Sequence, residues 1–495
     1  MQLSDLTALL PLLIAGAAAV VLMALIAFQR SHALAAGFTA AALLSALAAV
    51  PAAYRAVPHQ DPLFAVDAYG LFFVTLILAT GVLVVCLSYG YFERQEERQE
   101  EFYLLLLLAI AGAGFLAVSS HFVSLFVSLE LLSVSLYAMI AYPRLRAGSV
   151  EAAIKYLVLG SASAAMLLFG GALAYARLGS MELSHLAQAL PQTSGGQDLI
   201  LLAGVALLFA GAAFKLGVAP FHLWVPDVYQ GASAPVGAVI ATISKAAMVA
   251  LVFRYFATGE TLADSPLLQT AAIVSAVSML GGNLLALLQS NLKRLLAYSS
   301  ISHFGYVLVA LLATPANGRE AAAFYTVAYA ASVIVAFGVI SVLGDGDADA
   351  EDLESYRGLF RRRPALGLAL TLSMLSLAGI PLTAGFVGKF YVVLAGADSA
   401  LWTLLFILAA SSTIGLYYYL RVVVMVYDQS SIGGEPAASR SHIPLAATLA
   451  LGVLAALIVG LGLFPQDMIG YLHTAASYCC NEVVPQAQAA PAMSF

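Results

Sequence analysis

Four of the five lysines in this 495-residue chain (Lys155, Lys215, Lys245 and Lys389) stand inside stretches otherwise apolar enough to cross a membrane. The fifth, Lys293, lies beside Arg294 in what reads as a polar turn. One ammonium at the centre of a membrane helix costs roughly 2.5–3.5 kcal/mol on insertion scales, so four imply on the order of 10 kcal/mol. The arginines do the opposite, and nearly all fall in loops or at the ends of apolar stretches. Keeping proton-exchanging cations inside and permanent cations outside is the pattern of a path for protons. Carboxylates are scarcer in the apolar stretches, and Glu130 is the most deeply placed. A buried Glu needs a partner or must take up a proton, and a lysine from a neighbouring helix would be such a partner. Glu151 and Lys155 have the i,i+4 spacing of a helix ion pair, and near the end of their span they read equally well as a surface pair. His222 follows Lys215 by two helical turns, and His303 joins Tyr298, Ser299, Ser300 and Ser302 in a polar stripe.

Helices must position these groups. With 62% hydrophobic and 10% charged residues, the chain has the composition of an integral membrane protein. At about 20 residues per crossing it holds about 14 spans joined by short loops. Two spans are unusual. The stretch 199–225 and its continuation contain Gly217, Pro220 and Pro226, and the stretch 365–396 contains Gly379, Pro381, Gly385 and Gly388. Proline removes a backbone donor, and a broken helix survives at membrane depth only where it lines a cavity or is buried in protein. A pair of such segments points to a transport site, and each carries a lysine. The tail after Phe464 reads as a loosely held terminus, and the charged stretches Phe92–Glu101 and Asp345–Arg363 read as solvated turns.

The cations of alternate loops set the orientation. Thirteen fall on the side that includes Arg30, Arg94, Arg98, Arg144, Arg146 and Arg440, against four (Arg55, Arg177, Arg254 and Arg319) on the other. The positive-inside rule places the first set in the cytoplasm and both termini outside. Cys86 and the adjacent Cys479 and Cys480 lack metal-ligand spacing, and no P-loop, zinc motif or iron–sulfur set is present. Any redox chemistry belongs to other polypeptides. Gly112-Ala-Gly114 loosely fits a dinucleotide pattern, but no strand precedes it, and close helix packing explains it better.

Several longer motifs carry a resemblance. FKLGVAPFHLWVPDVYQGA from Phe214, Ser244-Lys245, LLAYSSISHFG from Leu295 and GIPLTAGFVGK ending at Lys389 occur in order. They resemble the antiporter-like subunits of respiratory complex I and of multi-subunit cation/proton antiporters over roughly 102–427. Lysine rather than glutamate at 389, and no stretch for a lateral helix after the last span, favour one branch of that family. The resemblance implies an all-α polytopic fold with two inverted five-helix repeats, each with a broken helix. The corresponding segments are 1–101, a first repeat 102–258, a second repeat 259–428, and a C-terminal helix and tail 429–495. It implies that Glu130 and Lys215 are a coupled pair, Lys245 the central relay and Lys389 the terminal site. His222, His303, Glu151 and Lys155 are supporting members. FMN, iron–sulfur clusters and quinone would reside on partner subunits, with no cofactor or metal on this chain. The partners implied are the other membrane and peripheral subunits of complex I, in a bacterial inner membrane, without nucleic acid. The alternatives are a subunit of a sodium/proton antiporter or membrane-bound hydrogenase, and a self-sufficient solute transporter. The last is disfavoured because no polar pocket for an organic substrate accompanies the lysines.

Overall fold

A computed structural model describes residues 3–94, 100–143, 146–189, 198–257, 266–344, 348–428 and 444–481. Arg98, Arg144 and Arg440 lie outside these residues. The chain begins with α1 (Leu3–Ala8), α2 (Leu10–Phe28), α3 (His32–Arg55) and α4 (Ala68–Phe92). Between α3 and α4 a small antiparallel hairpin pairs β1 (His59–Gln60) with β2 (Ala65–Val66). Then come α5 (Glu100–Ala117), α6 (Phe122–Ile140), α7 (Ala147–Leu178), the short α8 (Leu183–Ala189), α9 (Leu199–Leu216), α10 (Trp224–Gly231) and α11 (Ala234–Tyr255). They are followed by α12 (Pro266–Leu287), α13 (Leu292–Leu311), α14 (Pro315–Leu343), α15 (Leu359–Arg362), α16 (Pro364–Ala378), α17 (Ala384–Asp398) and α18 (Trp402–Tyr427). The last are α19 (Leu445–Leu463) and α20 (Gln466–Asn481).

Among the described residues, 12 helices are long and apolar enough to cross a membrane. α13 is long enough but too polar to count with them, and α16 and α17 are 15 residues each. Two helices form the centre. α11 is buried along its whole length and α14 nearly so, as expected of helices apolar on every side. Their ends are tied together. Arg254 of α11 grips both oxygens of Asp67 at 2.7 and 2.8 Å, and Asp67 also caps α4 through Gly70 N–H. Arg319 of α14 donates to the carbonyls of Phe253, Arg254 and Ala257, which α11 leaves free at its C-terminus.

One set of packing details occurs twice, 170 positions apart. His121 caps α6 and bridges to Glu182; Asn291 caps α13 and bridges to Asp352. A Cβ added to Gly112 of α5 would meet Leu132 N at 2.7 Å and Ser128 O at 2.9 Å. A Cβ added to Gly282 of α12 would meet Ser302 N and Tyr298 O, both at 2.8 Å. Backbone cannot yield as a flexible side chain can. Gly282→Ala should therefore cost about 1–3 kcal/mol through overpacking and lower the amount of assembled protein in membranes, which a quantitative blot would show. Small-residue packing thus accounts for Gly112, in agreement with the sequence reading.

The sequence reading of two regions needs correction. The segment after Phe464 is not loose to its start: α20 packs on α14 and α4, with His473 bonded to Glu320 at 3.1 Å and Tyr471 to Tyr54. The side chains of Cys479 and Cys480 lie outside the described part of α20. The stretch read as a solvated turn before α15 folds inward, burying Asp349, Leu353 and Tyr356.

Candidate functional site

The two interrupted helices supply the site's frame. α9 ends at Gly217 (φ 74°) and α16 at Gly379 (φ 83°), both left-handed caps that a side chain would strain. The free carbonyls and negative dipole end of each helix attract cations. Lys389 reaches back from α17 and donates to Leu377 O at 3.0 Å, Ala378 O at 2.8 Å and Ser412 Oγ at 3.0 Å. Its ammonium also stands 5.4 Å from the Tyr306 ring. At the first break, Trp224 Nε1 satisfies Phe214 O at 3.0 Å. Lys245 Nζ lies 3.6 Å from where a Gly217 Cβ would stand. A lysine amino group therefore stands at each break.

Lys215, in the last turn of α9, donates to Ser133 Oγ at 2.6 Å and lies about 6 Å from the rings of Tyr137, Tyr156 and Phe214. Glu130, one turn before Ser133 on α6, makes no salt bridge to Lys215. Its Oε1 is buried without a hydrogen-bond partner, although its charge acts on Lys215 electrostatically. Lys245 has no exposed surface. Its Nζ donates to Ser300 Oγ at 2.5 Å and lies 4.4 Å from the Phe304 ring. Ser300 is a junction, because Tyr329 OH donates to it at 2.7 Å and Tyr229 OH lies 3.3 Å away. One turn on, His303 is bonded through Nδ1 to Tyr325 OH at 2.5 Å and through Nε2 to Tyr419 OH at 2.9 Å. A neutral imidazole has one donor and one acceptor nitrogen, so His303 with a hydroxyl on each side can pass a proton through. Both Lys245 and Lys389 act on it electrostatically.

A family model described as "NADH:quinone oxidoreductase/Mrp antiporter, TM" matches residues 119–415, which include all of these groups except Tyr419. The chain belongs to this family. Its relatives include the NADH-quinone oxidoreductase subunit N of Ectopseudomonas mendocina, 44% identical over 95% of this chain and 96% of that one. The NADH-quinone oxidoreductase subunit N of Methylococcus capsulatus is also 44% identical, over 95% of each chain. Among solved structures, a chain of respiratory complex I from Thermus thermophilus aligns with TM-score 0.78 at 33% identity, covering 94% of this chain and 99% of that one. A chain of the Mrp complex from Dietzia shares the fold, with TM-score 0.82 at 21% identity, covering 97% and 98%.

Within this antiporter-family fold, the other expected residues fall outside the line of lysines. Lys155 bonds Glu151 and Asp227, both at 2.8 Å, but its side chain is 44% exposed. Asp227 also accepts from Arg294 at 3.0 Å. These four form a surface network apart from Lys215. His222 lies in the turn after Pro220, where the helix has stopped, so the two-turn spacing from Lys215 does not align them. Its Nδ1 is buried without a partner. Lys293 is not in a polar turn. It lies in the first turn of α13 with a side chain 1% exposed, paired to Asp349 at 2.7 Å and Glu351 at 3.0 Å. Sequence reasoning does not reach Ser133, Ser412, Tyr229, Tyr325, Tyr329 and Tyr419 as partners. The serine stripe of α13 is the one available signal. No group of three or more His, Cys, Asp or Glu placed to hold a metal occurs among the described residues.

Proposed function

We infer that this chain is the proton-translocating membrane subunit of an NADH-quinone oxidoreductase, coupling electron transfer on other subunits to proton movement. The observation that carries this reading is the set of buried lysines at two helix breaks, each bonded to a hydroxyl, with His303 held between two more, in a chain 44% identical to subunit N proteins. Glu130 and Lys215 form the loading pair, with Ser133 holding the lysine. Lys245 is the central relay, His303 the step beyond it, and Lys389 the terminal site. Glu151, Lys155 and His222 have supporting roles at its edge. Burial disfavours a lone ammonium and a nearby carboxylate favours it, so a shift of Glu130 relative to Lys215 changes proton occupancy. Water completes the steps that hydroxyls do not span.

FMN, iron–sulfur clusters and quinone belong to the partner subunits, and the trigger for proton movement comes from there. The 12 long apolar helices, α13 and the interrupted α16–α17 pair make fourteen crossings of a bacterial inner membrane. The arginine-rich side is cytoplasmic and both termini are periplasmic. The packing that recurs after 170 positions supports two repeats, 102–258 and 259–428, between the segments 1–101 and 429–495. The test is assembly. An affinity-tagged chain should co-purify from its native membranes with flavin and iron–sulfur subunits that oxidise NADH. Recovery with small antiporter subunits and no flavin would overturn the reading.

A further inference from the structure

A polar cavity of about 380 Å³ opens on the arginine-rich side, walled by Arg146, Glu151, Lys155, Asp227, Lys293 and Glu351. Lys215 does not line it; Lys293 forms its inner end. Glu351, 31% exposed, accepts from Lys293 Nζ at 3.0 Å, while Asp349 behind it is 1% exposed and accepts at 2.7 Å. Asp349 is fixed in turn by Tyr91 OH at 2.7 Å, and Arg146 donates to that hydroxyl at 3.2 Å. The third bond from Lys293 Nζ, 2.7 Å, goes to Ala232 O, just beyond α10 and on the wall of the same cavity. Two elements lead from there to Lys245. Tyr229 of α10 reaches Ser300, the residue that holds Lys245. Ser300 lies seven residues beyond Lys293 on the same face of α13, about 10 Å of helical rise. A buried ion pair is weak evidence of stabilisation. A buried lysine with one partly exposed carboxylate on a cavity, on the helix face that also carries Ser300, fits a path better than a clamp.

We propose that this cavity is the mouth through which protons from the arginine-rich side reach Lys245, with Glu351 and Lys293 as the carriers and the charge of the Glu130–Lys215 pair setting when Lys245 is loaded. The Lys293 ammonium releases one proton inward, through water and the Tyr229 and Ser300 hydroxyls, to a neutral Lys245 amine. Each hydroxyl gains one proton and loses another. Lys293 is then recharged by the proton that Glu351 has taken from a hydronium ion in the cavity, which leaves water behind. The inference rests on the reading of Lys245 as a proton carrier.

Two variants of the assembled complex, in inverted membrane vesicles driven by NADH, test it. Gly148 is exposed on the cavity wall, and a Cβ added there meets nothing within 4 Å. Gly148→Cys treated with a bulky impermeant maleimide should lose most of its proton uptake relative to the same vesicles before labelling. Wild type treated alike, with its native cysteines, should not. Lys293→Arg keeps the charge and the pairing but cannot give up its proton, so uptake should be lost while the complex assembles. Normal uptake in fully labelled Gly148→Cys, failure of the assembled complex to label, or normal uptake in assembled Lys293→Arg would overturn the mouth. Lys245→Ala separates the two readings. If it is impaired while labelled Gly148→Cys pumps normally, only the mouth fails; if Lys245→Ala pumps normally, the central-relay reading fails first.

Discussion

Lys245→Ala should assemble normally and lose NADH-driven proton uptake by roughly a hundredfold, the usual weight of one positioned proton donor. Assembly survives because the substitution removes a fully buried ammonium, whose desolvation is a cost to the fold rather than a gain. Ser300, Tyr229 and Tyr329 remain bonded to one another, so few groups are orphaned. Activity does not survive, because the groups left bonded to Ser300 among the described residues are tyrosine hydroxyls, which pass a proton on but do not store one. Lys155→Ala is the comparison. Lys155 is 44% exposed and paired to Glu151 and Asp227, and exposed pairs, screened by water, contribute little. Its uptake should stay within about fivefold of wild type. Equal losses in the two variants, measured by the quench of a pH-sensitive dye in vesicles of matched complex content, would show that depth is the wrong guide.

The second large effect concerns Glu130. Its buried Oε1 has no hydrogen-bond partner, and Lys215 is held instead by Ser133 one turn along α6. A buried acceptor left unpaired costs about 1–3 kcal/mol, a cost that a carboxylate free to shift toward Lys215 would relieve. Glu130→Gln keeps the shape without the charge and should abolish proton loading, as should Glu130→Ala. Glu130→Asp keeps the charge with a shorter reach and should retain partial activity. Ser133→Ala removes a bond from a charged donor worth about 1.5–3 kcal/mol, and should slow turnover about tenfold to a hundredfold. Quinone reduction and proton uptake in membranes with verified assembly read all four. Normal turnover in Glu130→Gln would make Glu130 a packing residue.

How far these groups can be read from sequence depends on their chemistry. An ammonium in an apolar stretch is conspicuous, so residue type and position alone single out Lys215, Lys245 and Lys389, and Gly217 and Gly379 mark where α9 and α16 stop. Ser133, Ser300 and Tyr419 are ordinary residues for a membrane helix. Their importance comes from which helix faces which, and the spacing within one helix does not encode that. Lys293 reads wrongly for a related reason. Its neighbours Gln289, Asn291 and Arg294 have the composition of a turn, while its burial depends on Asp349, 56 residues later. α20 escapes notice because its polar face resembles a tail. His222 aligns with Lys215 only on a continuous helix, which Gly217 in fact ends.

Lys389→Ala tests the central claim, that buried lysines in this chain carry the protons, most directly. Among the described residues, Lys389 is the one ammonium held by the carbonyls of a broken helix, Leu377 O and Ala378 O. Without it those acceptors remain, but nothing at the second break can bind and release a proton. The measurement is protons taken up per NADH oxidised, in vesicles containing a fully assembled Lys389→Ala complex. A sharp fall in that ratio or in the turnover that drives it is the expected result. Wild-type turnover at the wild-type ratio would contradict the account.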